Sequence, residues 1–271
     1  MQPIPLQETA RRLRREIILM LDKAGSGHPG GSLSAADIIT TLYFETMNID
    51  PARPRMEERD RFVLCKGHAA PALYAALAMR GYFPLEDLSN LRRLASPLQG
   101  HPDMMRLPGV DMSTGSLGQG LSAACGIALS GKLNQKDYYT YALLGDGELQ
   151  EGQVWEAAMF ASHYKLGNLI AFVDHNGLQI DGLITEVLSP EPIDAKWRSF
   201  GWEVQTIDGH DFEAIQEAIV KAKQGQDQPQ MIIAKTVKGK GVSYMENVAG
   251  WHGKAPKGEQ TALALAELIN Y

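Results

Sequence analysis

Cysteine is scarce: the 271 residues include only Cys65 and Cys125, without CxxC spacing. One disulfide would do little for a chain of this size, so free thiols are expected, and neither cysteine sits in a metal-ligating pattern. Long apolar runs are missing too. No stretch of eighteen or more hydrophobic residues occurs, so no membrane-spanning helix is expected. The N-terminus MQPIPLQETARRLRREI turns charged and amphipathic where a signal peptide needs an apolar stretch, and a cytoplasmic chain is the expectation. Positive charge is in short supply. The net charge is −6 and KTVKGKG is the one short basic stretch, which argues against a nucleic-acid partner. No GxGxxG follows a predicted strand, against a plain nucleotide-binding dehydrogenase. Internal repeats and linkers are also missing, so residues 1–271 are expected to form a single domain.

Apolar residues, at 44%, and glycine, at 27 residues, are abundant. The first supports a sizeable core. The second is concentrated in GSGHPGG, STGSLGQG and GDGELQEG, as expected where backbone approaches a ligand and unlike the scattered glycine of a flexible linker. Ala10, Leu13, Ile17 and Leu21 recur at helical spacing within residues 9–23, with Thr9 as a candidate cap and Gly25 just past the end. Ser34 with Asp37 resembles a capping box ahead of a second helix through Ile38, Ile39, Leu42 and Tyr43, and Pro51 marks its exit. Short apolar runs at 62–64, 139–144, 169–173, 202–207 and 231–236 read as strands. Helical patterns lie at 72–79, from Leu121, at 153–164 and after Asp211, where Phe212, Ile215 and Ile219 face inward. Strands alternating with helices predict an α/β fold, a mostly parallel sheet with helices on both faces.

Open parallel sheets bind ligands beyond the carboxyl ends of their strands. Gly145, Asp146 and Gly147 fall at one such end, and Asp174, His175 and Asn176 at the end of the next strand. Asp146 can offer a carboxylate oxygen, Asn176 an amide oxygen, and a backbone carbonyl such as that of Leu178 a third. Magnesium favours such an all-oxygen set, in near-octahedral geometry at roughly 2.0 to 2.1 Å. Gly147 lacks a Cβ and can bring its N–H to a phosphate oxygen, with the positive end of the following helix directed at the same place. GDG alone is a common turn, and Asn176 with Gly177 could equally be one. The combination of strand, GDG, helix, strand and Asn, with thirty residues from Asp146 to Asn176, suggests the fingerprint of thiamine diphosphate proteins.

The stretch GDGELQEGQVWEAAMFASHYKLGNLIAFVDHNGLQIDG closely resembles the corresponding part of transketolases. SGHPGG, CKGHAA, GHPD, STGSLGQG, KTVKGKG and WHGK appear in that family's order, so the resemblance extends over nearly the whole chain. It implies thiamine diphosphate as cofactor and Mg2+ as the ion, with Ca2+ or Mn2+ as substitutes. Cofactor contacts would come from His68, Gly115, Leu117, Gly145, Asp146, Gly147, Asn176 and His252, and the metal ligands would be Asp146, Asn176 and the carbonyl of Leu178. Gly115 and Leu117 would lie against the aminopyrimidine; without the family they read as a tight turn before the helix from Leu121. His28, His101 and His252 would surround the donor sugar, with His28 and His252 as candidates for moving its protons. His101 would hold the C1 hydroxyl of a ketose, a polar contact that disfavours a methyl ketone. Glu151 would link the two active sites of a dimer through a proton network; read alone, it is a helix N-terminal carboxylate favoured by the dipole. Lys235 and Lys254 would meet anionic groups. His210 is expected at a helix cap, His163 as structural or exposed, and His175 as a site neighbour without an assigned role. The face formed by Val154, Ala157, Ala158 and Ala161 is expected to be core.

Members of that family continue into a pyrimidine-binding domain and a third domain, and the glutamate that activates the cofactor belongs to the pyrimidine domain. No residue of this chain matches it. The resemblance therefore implies the N-terminal subunit of a split transketolase, working with a C-terminal subunit in an α2β2 heterotetramer. Its reaction would be transfer of a two-carbon ketol unit from a ketose phosphate to an aldose phosphate, as in the pentose phosphate pathway. Two alternatives stay open: a subunit of another thiamine diphosphate enzyme such as deoxyxylulose phosphate synthase, against which LQEG and His101 argue, or a non-catalytic protein that keeps the cofactor face.

Overall fold

The central strands, at Thr140–Gly145, Leu169–His175 and Gln230–Lys235, are buried on both sides, and that decides the architecture. The computed structural model describes residues 4–225 and 227–269. Its strands are β1 (Arg61–Leu64), β2 (Thr140–Gly145), β3 (Leu169–His175), the short antiparallel pair β4 (Leu178–Gln179) and β5 (Gly182–Leu183), then β6 (Glu203–Asp208) and β7 (Gln230–Lys235). The five long strands form a parallel sheet in the order β1-β2-β3-β7-β6. The helices are α1 (Leu6–Ala24), α2 (Pro29–Ser34), α3 (Ala36–Thr41), α4 (Ala70–Arg80), α5 (Gln119–Leu133), α6 (Gly152–His163), α7 (Ile184–Val187), α8 (Ile193–Ser199), α9 (Phe212–Ala222) and α10 (Glu259–Glu267). The chain is thus α/β, as its alternating pattern predicts. Among the described residues, no helix is long and apolar enough to cross a membrane.

Along β3, Ile170 and Phe172 pack with α1, α3, α4 and α9, while Leu169, Ala171 and Val173 pack with α5, α6 and α8. Val154, Ala157, Ala158 and Ala161 of α6 belong to that second layer, so they are core. The two layers follow from handedness. Because parallel crossovers are right-handed, those into β2 and β3 lay α5 and α6 on one face and the return from β6 to β7 puts α9 on the other, where α4 packs as well. The direction of winding reverses between β3 and β7, which leaves a crevice beyond their carboxyl ends. Register then aligns those ends: Gly145 is level with Asp174, and His175 with Lys235.

Several local expectations change. Thr9 does not cap α1, because the helix already starts at Leu6, and its hydroxyl donates to the Pro5 carbonyl (3.2 Å) from within the first turn. Gly25 does end the helix, with φ 69°. Ser34 and Asp37 form no capping box. Ser34 closes α2 and donates its hydroxyl to Asp174 (2.6 Å), and Asp37 is taken by the buried guanidinium of Arg14 (2.7 Å). Both cysteines are buried free thiols, pushed up in pKa by burial, Cys125 to about 12.

Candidate active site

Asp146 leaves the end of β2 and bridges to the loop after β3. Its Oδ1 accepts from the N–H of Gly147 (2.8 Å) and its Oδ2 from that of Gly177 (2.6 Å). The Gly147 N–H is therefore turned to its own neighbour's carboxylate. A short 3-10 turn, Gly147–Gln150, separates this point from α6, which begins at Gly152, next to the start of the expected helical pattern at 153–164. A side chain at Gly147 would not fit, since its Cβ would stand 2.8 Å from the Cβ of Gln179. Asn176 is oriented by both ends of its amide. Its nitrogen faces Asp174 (3.4 Å) and Ser34 (3.5 Å), while its oxygen accepts from the N–H of Leu178 (3.1 Å). Asp174 is fully buried and takes Ser34, Thr236 and the ammonium of Lys66 as donors. Burial opposes its charge, but these partners hold its carboxyl below the usual range.

Two lysines that sequence reasoning did not single out face this cluster. Lys66 is 1% exposed and ion-paired with Asp174. Lys238, 2% exposed, donates to the Leu178 carbonyl (3.0 Å) and to Nδ1 of His252 (3.1 Å). Burial, then the charge of Lys66, lowers Lys238 to about 8. The KGH and KGKG steps beside the glycine motifs were the signal available for both. Lys235 and Lys254, expected at anions, are exposed instead; Lys235 ends β7 facing away, and Lys254 lies over the Trp251 ring (4.9 Å). Glu148 was also missed. It is 2% exposed, accepts from the N–H of Gly118 (2.9 Å) and of Gly145 (3.1 Å), and is raised by burial to about 7.

Four histidines from three loops and a helix start come together. His28 precedes α2, and its ring centroid is 5.3 Å from that of His68, 5.4 Å from His252 and 6.3 Å from His101. His68 and His252 are 4.9 Å apart. Burial, reinforced by nearby cations, lowers His28 to about 4 and His252 to about 3, and pulls His68 and His101 down as well. All four rings are therefore neutral near pH 7, each offering one donor and one acceptor. Nδ1 of His28 is buried without a hydrogen-bond partner. Gly115 packs against the His101 ring, where a Cβ would lie 3.0 Å away. Leu117, half-buried, and Glu151, exposed at the start of α6, line one cavity with His68 and His252, whereas His28, His101 and Gly115 are not in its walls. The other histidines lie outside this cluster: His163 is exposed, His175 neighbours the site between Asp174 and Asn176 and pairs with Glu191 (3.2 Å), and His210 is not a cap, because Asp211 fills that role through the N–H groups of Glu213 and Ala214.

The cavity holds about 200 Å³ and is walled by Lys66, His68, Asp146, Asn176, Leu178, Lys238 and His252 among others. Pockets enclosing a whole cofactor-sized ligand run from roughly 300 Å³ upward, so these walls enclose only part of one. Its donors suit a diphosphate and a hard cation: a carboxylate, an amide oxygen, a carbonyl, and the ammonium groups of Lys66 and Lys238 in the same wall. Asp146 is raised to about 6 by burial and by the charge of Asp174, the electrostatic condition that a divalent cation relieves. Among the described residues, no three His, Cys, Asp or Glu side chains form a metal cluster, so any ion here relies on mixed oxygen donors.

The family model described as "Transketolase, thiamine diphosphate binding domain" matches residues 7–268. The chain belongs to the transketolase family. It is similar to the 6-deoxy-6-sulfo-D-fructose transketolase subunit of a Clostridium species, with 49% identity over 267 residues, 98% of this chain and 97% of that one. It is also similar to an apulose-4-phosphate transketolase subunit of Phocaeicola vulgatus, with 41% identity over 268 residues, 99% of this chain and 95% of the relative. The solved transketolase of Leishmania mexicana superposes with a TM-score of 0.93 at 32% identity; 98% of this chain spans 41% of that one. The chain thus matches the whole length of relatives named as transketolase subunits and less than half of the solved transketolase. In family terms it is a transketolase-type transferase's thiamine diphosphate-binding part.

Proposed function

We propose that residues 1–271 act as one domain that holds the diphosphate end of thiamine diphosphate with a divalent ion, within a two-chain transketolase. The carrying observation is the closure of Asp146 on the 176–178 loop, with the buried ammonium of Lys238 on the Leu178 carbonyl and that of Lys66 on Asp174. Asp146, Asn176 and the Leu178 carbonyl would hold the ion, with Mg2+ favoured by the donor type. The Leu178 carbonyl has a second lone pair beyond the one Lys238 uses. Lys66, Lys238 and His68 would meet phosphate oxygens. When bound, the cofactor supplies the nucleophilic carbon that makes and breaks the carbon–carbon bond of the sugar.

The chain's own contribution to turnover is recognition and proton handling. His28 and His252, neutral and mutually close, would each accept a proton from a donor hydroxyl or return one. His101 would hold the C1 hydroxyl of the ketose beside Gly115 and Leu117, which would back the cofactor's ring. Glu151, exposed beside Gly118, would face the second active site of the assembly. Relatives named as subunits support a partner chain; in this reading it carries the pyrimidine-binding domain, in an α2β2 assembly in the cytoplasm. Their names also favour an anionic ketose as donor, and the acceptor in this reading is an aldose phosphate.

The test is calorimetric titration of the chain with thiamine diphosphate, with and without Mg2+. Binding should require the metal, and Asp146→Ala should weaken it by at least about 100-fold, the upper end of losses seen for groups that merely support metal ligands. Equal affinity in wild type and variant would overturn the reading.

A further inference from the structure

We infer that His210 is a positioning residue for Lys238, acting through a buried chain of polar contacts that begins on α1; the inference rests on the reading of Lys238 as a diphosphate contact. Arg14, 1% exposed, grips both oxygens of Asp37 at 2.7 Å and also donates to the carbonyls of Leu33 (3.3 Å) and Lys240 (3.2 Å). Burial disfavours the Asp37 anion, but the Arg14 guanidinium and the His210 contact hold its carboxyl below the usual range. Nδ1 of His210 lies 2.7 Å from Asp37 Oδ2, and Nε2 lies 2.8 Å from the N–H of Val237. An anionic carboxylate can only accept and a backbone N–H can only donate. His210 must therefore carry its proton on Nδ1 and keep Nε2 bare.

The lysine loop is pinned on both sides of Lys238: the N–H of Val237 by His210, and the carbonyl of Lys240 by Arg14. Lys238 is left with its ammonium between the Leu178 carbonyl and His252. Buried ion pairs add little net stability over an apolar replacement, whereas a bidentate fork and a single-tautomer imidazole define direction. That is the requirement for aiming a lysine whose own stem is flexible.

Two substitutions separate aiming from folding. Gln reaches the Nε2 position and can still accept from Val237. Asn reaches only the Nδ1 position and leaves that N–H unpaired. Each loses one of two hydrogen bonds, so His210→Gln and His210→Asn should melt at similar temperatures. Affinity for thiamine diphosphate with Mg2+, measured on the full chain, should fall about tenfold in His210→Asn and stay within roughly threefold of wild type in His210→Gln. The nitrogen-15 spectrum of the wild-type imidazole should show the Nδ1-protonated tautomer, with or without cofactor. Equal affinities in the two variants, or a proton on Nε2, would overturn the inference while leaving the cofactor site standing. Failure of the wild type to bind would remove the reading of the site, and this inference with it.

Discussion

At the scale of single residues, the histidine cluster makes a pH prediction with a definite sign. A free histidine titrates near 6.5, while folding lowers His28 to about 4 and His252 to about 3. The unfolded chain therefore binds more protons below pH 6.5, and the stability held at neutral pH declines as pH falls toward those folded values. His28→Asn and His252→Asn should each flatten that decline by up to about one proton. Urea melts of the cofactor-free chain at pH 7 and pH 5 measure it; variants with the wild-type difference would show that the rings are not neutral in the fold. Gly67 has an equally local consequence. A Cβ there would stand 2.7 Å from the backbone at Thr114 and Gly115, which cannot swing aside. Gly67→Ala is expected to cost about 1–3 kcal/mol, read from the same melts. That STGS is special was visible in the glycine clusters and that GHA is special in the family resemblance; that they touch each other was not.

At the scale of elements, loops are tied together by side chains rather than by the sheet. Glu148 joins the loop before α5 to the end of β2 through two backbone N–H groups. Glu148→Gln keeps the shape but turns an amide N–H₂ toward one of those donors, so a loss of about 1–3 kcal/mol is expected. A melting temperature unchanged from wild type would mean the bridge carries no strength. Gly126, exposed in the middle of α5 with open space where a Cβ would stand, predicts the opposite sign. Gly126→Ala should add about 0.5–1 kcal/mol by helix propensity, and a destabilised variant would indicate a contact on that face. The elements themselves were legible within a few residues because periods of two and 3.6 are written locally. The capping box at Ser34 and Asp37 misled because the same residue types serve as buried partners when Arg14 and Asp174 are brought to them.

At the scale of the whole molecule, the cavity walled by this chain holds about 200 Å³, less than the roughly 300 Å³ at which ligand pockets begin. This chain alone should show no ketol transfer, and adding a chain with the pyrimidine-binding domain should produce it in a particle of two copies of each, by light scattering and a coupled assay. Full activity from the chain alone would refute the two-chain assembly. The sheet explains why the chemistry sits where it does: winding reverses between β3 and β7, and the Asn176 and Lys238 loops leave on either side of that reversal.

The amino-acid order by itself determined the five long strands, most helices, the α/β class and the position of Asp146 and Asn176 at neighbouring strand ends, because each follows from neighbours within a turn or a strand. Only the tertiary structure decided that Lys66 and Lys238 face the site while Lys235 and Lys254 do not, that Glu148 bridges two loops, and that His210 serves Asp37 and Val237. The physical reason is range. A buried charge or imidazole takes its role from whichever partner removes the cost of its desolvation, and that partner arrives from a distant part of the chain when the sheet closes.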